Sequence, residues 1–394
     1  MKPYLSAKIR ELIPTYCEFL ARLIRFESVY GNERLAQLYV KEKMNQIGLV
    51  VNEYYSREDK ESLNLVARIK GRKSNLYQSL ILNAHCDVAP VDCPEKWERS
   101  PFAGEIVDNK IYGRGSQDDK AGIAIILLLA ELLTQSKIEL NGDLIVEIVI
   151  EDETTGNGSK TLIDNGYTAD GVIIVDGTWS ERIIYAHLGQ IWIDVKITGI
   201  PAAACVESRG INPIYIATEF IQRIKNEISR LNQVAEPFEG IDMPYIVNVG
   251  SIRSGAWPGS VPACAEVGIQ ISFPDYHSPD DMLGLIQNIA RDVSERIEIR
   301  QGLLKTPAFK TDPNSRLISK LKNIIAGNSG KEVLTVPVTG HCDMRHFPTS
   351  NICLYGTGAG KNAHAIDEYY ELDQQEIVAG NLLDFILEWC NERK

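Results

Sequence analysis

The 394-residue chain reads as an α/β protein with a smaller α+β domain inserted into it. Two observations give the larger domain. Apolar strand-like runs alternate with helical patterns up to about residue 176, and the same texture resumes after about 300, closing on a helix at 373–391. A third observation gives the insertion: from 191 the chain runs strand, helix, two strands, helix and a last strand at 297–300, a complete small α+β sandwich. The expected division is a layered domain with a mixed sheet from 1–186 and 300–394, and a second domain from 187–299. Length agrees, since 394 residues exceed what one hydrophobic core holds.

Apolar residues Ile9, Leu12, Ile13, Cys17, Leu20, Leu23 and Ile24 recur at helical spacing over 5–26, with Pro14 expected to break or restart the helix. A second amphipathic helix runs to about Gly48, a C-cap residue. Strands follow at 49–55, 63–69 and 79–84. The segment from Asp119 to Thr134 is apolar nearly all round, which predicts a buried helix. A strand at 143–151, a short helix near 158–166 and a strand at 171–176 complete the first half. In the insertion, Ile191–Thr198 alternates as a half-exposed strand. A helix at 211–233, strands near 246–253 and 261–273 and a helix near 279–297 follow it.

A formal net charge of -12 argues against a nucleic-acid or anionic-membrane partner. No window has the apolar length of a membrane span, and Met1-Lys2-Pro3-Tyr4 lacks the features of a signal peptide. The eight cysteines are scattered with no Cys-x-x-Cys pair, which fits reduced thiols in a cytoplasmic protein.

Five places gather chemistry-bearing residues where strands or loops leave the sheet, the position at which α/β sheets host sites. The apolar run 79–84 ends on His85, with Asp87 two places on; alternation puts both on one face, where a carboxylate can fix the tautomer of the imidazole. Alone, this pair reads as a core histidine at a strand end. Tyr112-Gly113-Arg114-Gly115-Ser116-Gln117-Asp118-Asp119 delivers two carboxylates to the start of the buried helix. Taken alone, Asp119 reads as an N-cap, but an anion at 118 is costly without a cation. Glu151-Asp152-Glu153 ends an apolar strand, where three acids repel one another unless a positive charge is near. Asp176 ends the next strand, and His364 lies beside Asp367 and Glu368. His85, Asp118, Glu153, Asp176 and His364 form the inventory that two zinc-like ions sharing one carboxylate require. Mixed nitrogen and oxygen donors favour Zn²⁺ or Co²⁺ in an open site, and Mn²⁺ is a further candidate.

The ordered motifs Ala-His-Cys-Asp-Val-Ala-Pro, Tyr-Gly-Arg-Gly-Ser-Gln-Asp-Asp-Lys, Glu-Asp-Glu-Thr-Thr-Gly-Asn-Gly, Thr-Gly-His-Cys-Asp-Met-Arg and Ala-His-Ala-Ile-Asp-Glu resemble the M20 metallopeptidase family, near the acetylornithine deacetylase and succinyl-diaminopimelate desuccinylase branch. The resemblance covers nearly the whole chain. It implies that Asp118 bridges two zinc ions, with His85 and Asp176 at one and Glu153 and His364 at the other. It further implies that Asp87 orients His85 and that the Asp118–Asp119 peptide is cis. The insertion becomes a ferredoxin-like lid and dimerisation domain, and the protein a homodimer. Arg345 resembles a residue facing the substrate carboxylate; a structural ion pair with Asp343 is the other reading.

Two positions depart from that family. Its general base is a glutamate where this chain has Asp152, a retreat of one methylene, or roughly 1.5 Å. Its lid histidine, an oxyanion donor, is here Ala203, and loss of one such donor costs about 3–4 kcal/mol of barrier. His341 is a candidate replacement donor; an ordinary surface histidine is the other reading. The expected activity is dinuclear zinc-dependent hydrolysis of the amide in a small N-acyl amino acid or dipeptide-like substrate, with Asp152 as base. The alternatives are acyl-transfer, cyclisation or amide-forming chemistry on the same metal platform, and a non-catalytic binding homologue.

Overall fold

In the computed structural model, which describes residues 2–58, 60–177, 179–357 and 362–394, the chain divides into two compact units. The first spans 1–185, 311–336 and 342–394; the second spans 186–310 and 337–341.

The first unit opens with α1 (Lys2–Ile24) and α2 (Arg34–Gln46), followed by β1 (Val51–Tyr55), β2 (Leu63–Ile69) and β3 (Leu80–His85). Helix α1 runs through Pro14 without a break, correcting the expectation from sequence. A proline inside a helix costs about 3 kcal/mol, and here burial outweighs it: Leu5, Ile9, Tyr16, Leu20, Leu23 and Ile24 are all buried, at ~1.5–3 kcal/mol for a large apolar side chain. Tyr16 adds a lock, its hydroxyl donating to the Leu127 carbonyl at 2.9 Å and to Glu131 Oε2 at 2.6 Å. Those partners lie on α3 (Lys120–Gln135), buried from Lys120 to Leu133 as its sequence requires.

Then come β4 (Leu144–Val149), α4 (Asn157–Asp164), β5 (Gly171–Ile174) and β6 (Arg182–His187). The second unit is built from β7 (Gly189–Thr198), α5 (Pro213–Val234), β8 (Ile246–Ser254), β9 (Cys264–Phe273), α6 (Pro279–Val293) and β10 (Ile297–Thr306). The chain returns through α7 (Arg316–Ser329) and β11 (Ile352–Leu354) and closes on α8 (Asp373–Trp389).

The first unit's sheet has the order β1-β2-β4-β3-β5-β11-β6. Its centre is parallel, β4 with β3, β3 with β5 and β5 with β11, while β1, β2 and β6 pair antiparallel at its flanks. The parallel strands are buried on both faces, which their unbroken Ile, Leu and Val runs dictate.

The second unit is an antiparallel sheet in the order β8-β9-β7-β10, the ferredoxin-like arrangement. Alternate residues Ile191, Ile193, Val195 and Ile197 of β7 pack with Phe220, Ile224 and Ile228 of α5 and Met282 and Ile286 of α6. Asn212 caps α5 by accepting the Ile214 N–H, and Ser278 with Asp281 forms a capping box on α6. Strand β10 continues to Thr306 instead of ending at 300, because the register shift between Gln301 and Lys305 absorbs Gly302 as a bulge. No helix among the described residues is long and apolar enough to cross a membrane.

Candidate metal centre and active site

Strands β4, β3 and β5 are parallel neighbours whose register sets His85 against Val149 and Asn83 against both Glu147 and Ile174. Their carboxyl ends therefore emerge side by side. His85 ends β3, Asp152 and Glu153 follow β4, and Asp176 lies two residues past β5. Asp118 comes from the turn before α3, and its peptide bond to Asp119 is cis. His364 comes from the loop before α8.

These five side chains converge as two groups. Ligand atoms of His85, Asp118 and Asp176 all lie within 4.8 Å of one another, as do those of Asp118, Glu153 and His364. Asp118 belongs to both, with Oδ1 at 3.0 Å from His85 Nε2 and Oδ2 at 3.2 Å from His364 Nε2. Glu153 Oε1 lies 2.8 Å from His364 Nε2. One carboxylate thus faces a different imidazole with each oxygen, the disposition of a bridge between two cations.

The electrostatics fit a cation-binding site. Burial pushes the Asp176 carboxyl up to about 7, with repulsion from Asp118 adding to it. Burial likewise raises Asp152, helped by Asp343, and raises Asp119, helped by Asp176. Burial also works to raise Asp118, but hydrogen bonds with His364 and His85 outweigh it and hold the carboxyl well below its usual range. Glu153, then Asp118, lift His364 to about 11. Burial disfavours a charged His85, yet Asp118 and Asp87 reverse that and raise it. Excess carboxylate is thus balanced by protons on imidazole, and a divalent cation held by neutral imidazole would supply that positive charge instead.

A second layer of groups aims the first. Asp87 has its backbone oxygen 3.0 Å and its Oδ1 3.4 Å from His85 Nδ1. The same carboxylate accepts the N–H of Asp152 at 3.3 Å and of Glu153 at 3.1 Å. Asp119 is not a helix cap by side-chain bonding: Oδ2 accepts the His85 N–H at 3.3 Å, and its buried Oδ1 lacks a hydrogen-bond partner among the described residues. Glycine is required at 122, where a β-carbon would lie 1.9 Å from the Val175 carbonyl oxygen and 2.4 Å from Asp119 Oδ1. Glu151 is consumed by Arg57 Nη1 and Ser56 Oγ, both at 2.7 Å, so the acid beside the ligand turn is Asp152.

Sequence reasoning passed over Arg114 and Glu368. Arg114 donates to Glu368 Oε2 at 2.5 Å and to the His364 carbonyl at 3.1 Å, while Glu368 Oε1 accepts the Gln117 N–H at 3.1 Å. This pair fastens the His364 loop to the Asp118 turn. Both residues sit inside the motifs read above, but nothing in a linear pattern joins positions 254 apart.

Asp152 Oδ2 is 4.0 Å from His85 Nε2, so the shorter carboxylate lies beside the cluster. Arg345 is turned inward, with a side chain 4% exposed and Nη2 3.7 Å from Asp343 Oδ1. His341 and Ala203 belong to the second unit, where His341 Nδ1 lies 3.1 Å from Gln190 Oε1 and Ala203 is exposed on the short strand Ala202–Ala203.

Residues 81–388 match the model of peptidase family M20/M25/M40. The chain is 29% identical over 398 aligned positions to N-formyl-4-amino-5-aminomethyl-2-methylpyrimidine deformylase of Halalkalibacterium halodurans, covering 91% of this chain and 90% of that protein. It is also 29% identical to a probable succinyl-diaminopimelate desuccinylase of Staphylococcus aureus strain MSSA476, covering 90% and 93%. The fold is that of the di-peptidase Dug1p of Saccharomyces cerevisiae, at TM-score 0.83 and 14% identity over 99% of this chain and 98% of that one. A family match over most of the chain and two ligand groups joined through Asp118 lead to one conclusion: the chain belongs to peptidase family M20/M25/M40, in the acetylornithine deacetylase and succinyl-diaminopimelate desuccinylase branch, and is a metal-dependent hydrolase of carbon–nitrogen amide bonds.

Proposed function

We propose that the protein is a dinuclear zinc-dependent amidohydrolase that removes the acyl group from a small N-acylated substrate, an amino acid, dipeptide-like amide or simple amine. The observation that carries this reading is the division of Asp118 between His85 and His364. His85 and Asp176 would hold one ion, Glu153 and His364 the other, and Asp118 both. The mixed nitrogen and oxygen donors suit zinc, and they suit cobalt or manganese as well. When bound, the ions polarise the acyl carbonyl and render water nucleophilic near neutral pH.

The chain's own residues do the rest. Asp152 takes the proton of the attacking water and returns it to the leaving nitrogen; burial raises its carboxyl, which makes it the stronger base. Asp87 holds the Asp152 amide and so fixes where that shorter side chain begins. His341 is the candidate oxyanion donor in place of Ala203. The deformylase and desuccinylase relatives support formyl and succinyl as acyl groups to try first. A homodimer formed through the second unit accords with its unpaired edge strand β8. Eight free cysteines accord with the reducing cytoplasm.

A second reading, non-hydrolytic acyl transfer on the same ligands, is favoured by Ala203 alone. N-formyl, N-acetyl and N-succinyl amides assayed with Zn²⁺, after chelation and after zinc return, separate the two. We expect turnover that is lost and regained, and a fall of about a hundredfold in Asp152→Asn with zinc content unchanged. A zinc-loaded protein that hydrolyses none of them overturns the first reading.

A further inference from the structure

We propose that Arg57 is a positioning residue for the amide hydrolysis: by holding Glu151 in a left-handed backbone conformation, it sets where the next two residues, the base Asp152 and the ligand Glu153, begin. The inference deepens the amidohydrolase reading and rests on it for the roles of Asp152 and Glu153.

Strand β4 ends at Val149, and the chain turns out of the sheet at Glu151, whose φ is +72°. That region suits glycine; in a glutamate it crowds the β-carbon against the residue's own backbone, so something must hold it there. The backbone contributes a turn, in which the Glu151 carbonyl accepts the N–H of Thr154 at 3.2 Å and of Gly156 at 2.7 Å. The side chain contributes an anchor. It is buried, with Oε1 accepting from Arg57 Nη1 and Ser56 Oγ, both at 2.7 Å, and Oε2 accepting from Thr155 Oγ1. Glycine at this position would take the same φ freely, but it would give Arg57 no carboxylate to grip.

Arg57 arrives from across β2. It follows β1 in a loop that closes on itself, the Ser56 N–H donating to the Ser62 carbonyl at 3.1 Å and the Arg57 N–H to Ser62 Oγ at 2.7 Å. Strand β2 lies between β1 and β4 and runs against both, so the loop leading into β2 stands beside the carboxyl end of β4. The guanidinium meets a third segment as well. Its Nη2 is 3.4 Å from Oε2 of buried Glu33, which also accepts the Gly31 N–H at 2.9 Å, and its carbon stands 4.7 Å from the centre of the Tyr30 ring. That segment grips both neighbours of Asp87: Ser28 Oγ donates to the Cys86 carbonyl at 2.7 Å, and the Ser28 carbonyl accepts the Val88 N–H at 3.0 Å. Asp87 holds the amides of Asp152 and Glu153 from within, and Arg57 holds Glu151 from the rim of the sheet.

Without the guanidinium, Glu151 becomes a buried anion deprived of this cation and is driven toward solvent. The crowded φ then relaxes toward the ordinary regions, and Asp152, one residue on, turns with it. A misplacement of about 1 Å in a reacting group costs about a hundredfold in rate. The second tether at Asp87 should keep the loss nearer tenfold.

The test is a double-mutant cycle on the zinc-loaded protein with whichever N-formyl, N-acetyl or N-succinyl amide the parent hydrolyses fastest. Hydrogen exchange of the Thr154 and Gly156 amides is followed in parallel. We expect Arg57→Met to lower kcat about tenfold with KM unchanged and to speed exchange at both amides, and Arg57→Lys to recover part of each. In the Glu151→Gly background, where a left-handed φ needs no anchor, adding Arg57→Met should cost no more than about twofold in kcat and leave exchange unaltered. An equal loss in both backgrounds, a loss carried by KM, or unchanged exchange in Arg57→Met overturns the inference. Should Arg57→Met not fold, Arg57→Lys in the two backgrounds makes the same comparison. If the parent hydrolyses none of the amides, the amidohydrolase reading is what fails, and exchange with and without Glu151 still decides whether Arg57 holds the turn.

Discussion

The two halves of the cluster differ in enclosure. The His85 side chain is 3% exposed, ends a central strand and is held by Asp87; the His364 side chain is 51% exposed, comes from a loop and depends on Arg114 and Glu368. Asp118 joins them. A sheet edge thus builds the inner half and a fastened loop the outer one, so ions held at the two halves would differ in how tightly they are kept.

Removing the ligands one at a time breaks or sharpens that contrast, with the largest effect expected. His364→Ala should retain about one zinc per chain and Asp118→Ala neither, with turnover down by more than about a hundredfold in both. Metal analysis after dialysis against a mild chelator reads this directly. Equal loss from His85→Ala and His364→Ala would show that the halves are not graded.

A smaller effect asks whether the second unit adds to either half. If His341 supplies the oxyanion donor that Ala203 cannot, His341→Ala should lower kcat by about ten- to a hundredfold with little change in KM. An unchanged kcat removes His341 from the chemistry.

The smallest effect concerns stability beneath the inner half. Burial, against a hydrogen bond from Asn83, pushes Glu147 up to about 8 from an ordinary 4.5. The folded protein keeps this proton while the unfolded chain releases it, so the contribution is full below about 4.5 and is lost as pH rises towards about 8. Glu147→Gln should therefore narrow the drop in melting temperature between pH 5.5 and 8, by about 3 °C or more. An identical drop in both proteins would show Glu147 to be ionised in the fold.

What could be read from the sequence follows from how local each cause is. Strand β2 occupies 63–69 as its strand-like run predicts, and α3 carries the burial its composition demands. His85 was visible because it ends an apolar strand, and Asp118 because it stands just before an apolar helix, each a group that is costly to bury alone. Pro14 misled because the forces that keep α1 intact come from Leu127 and Glu131, more than a hundred residues away. The inward turn of Arg345 was no more legible, since it depends on Gly156 and Ser159 meeting a loop from the far end of the chain. Asp119 read as a cap because its partner is a backbone amide, which no side-chain pattern announces.

Asp87 leaves a mark on how this enzyme can change. Its single side chain serves the imidazole of His85 and the amides of Asp152 and Glu153 together, so the proposed metal site and the proposed base share one tether. A lineage drifting toward new acyl groups has no room to adjust either property through position 87 without disturbing the other. Variation that survives should accumulate on walls that meet the substrate, while this corner is inherited whole.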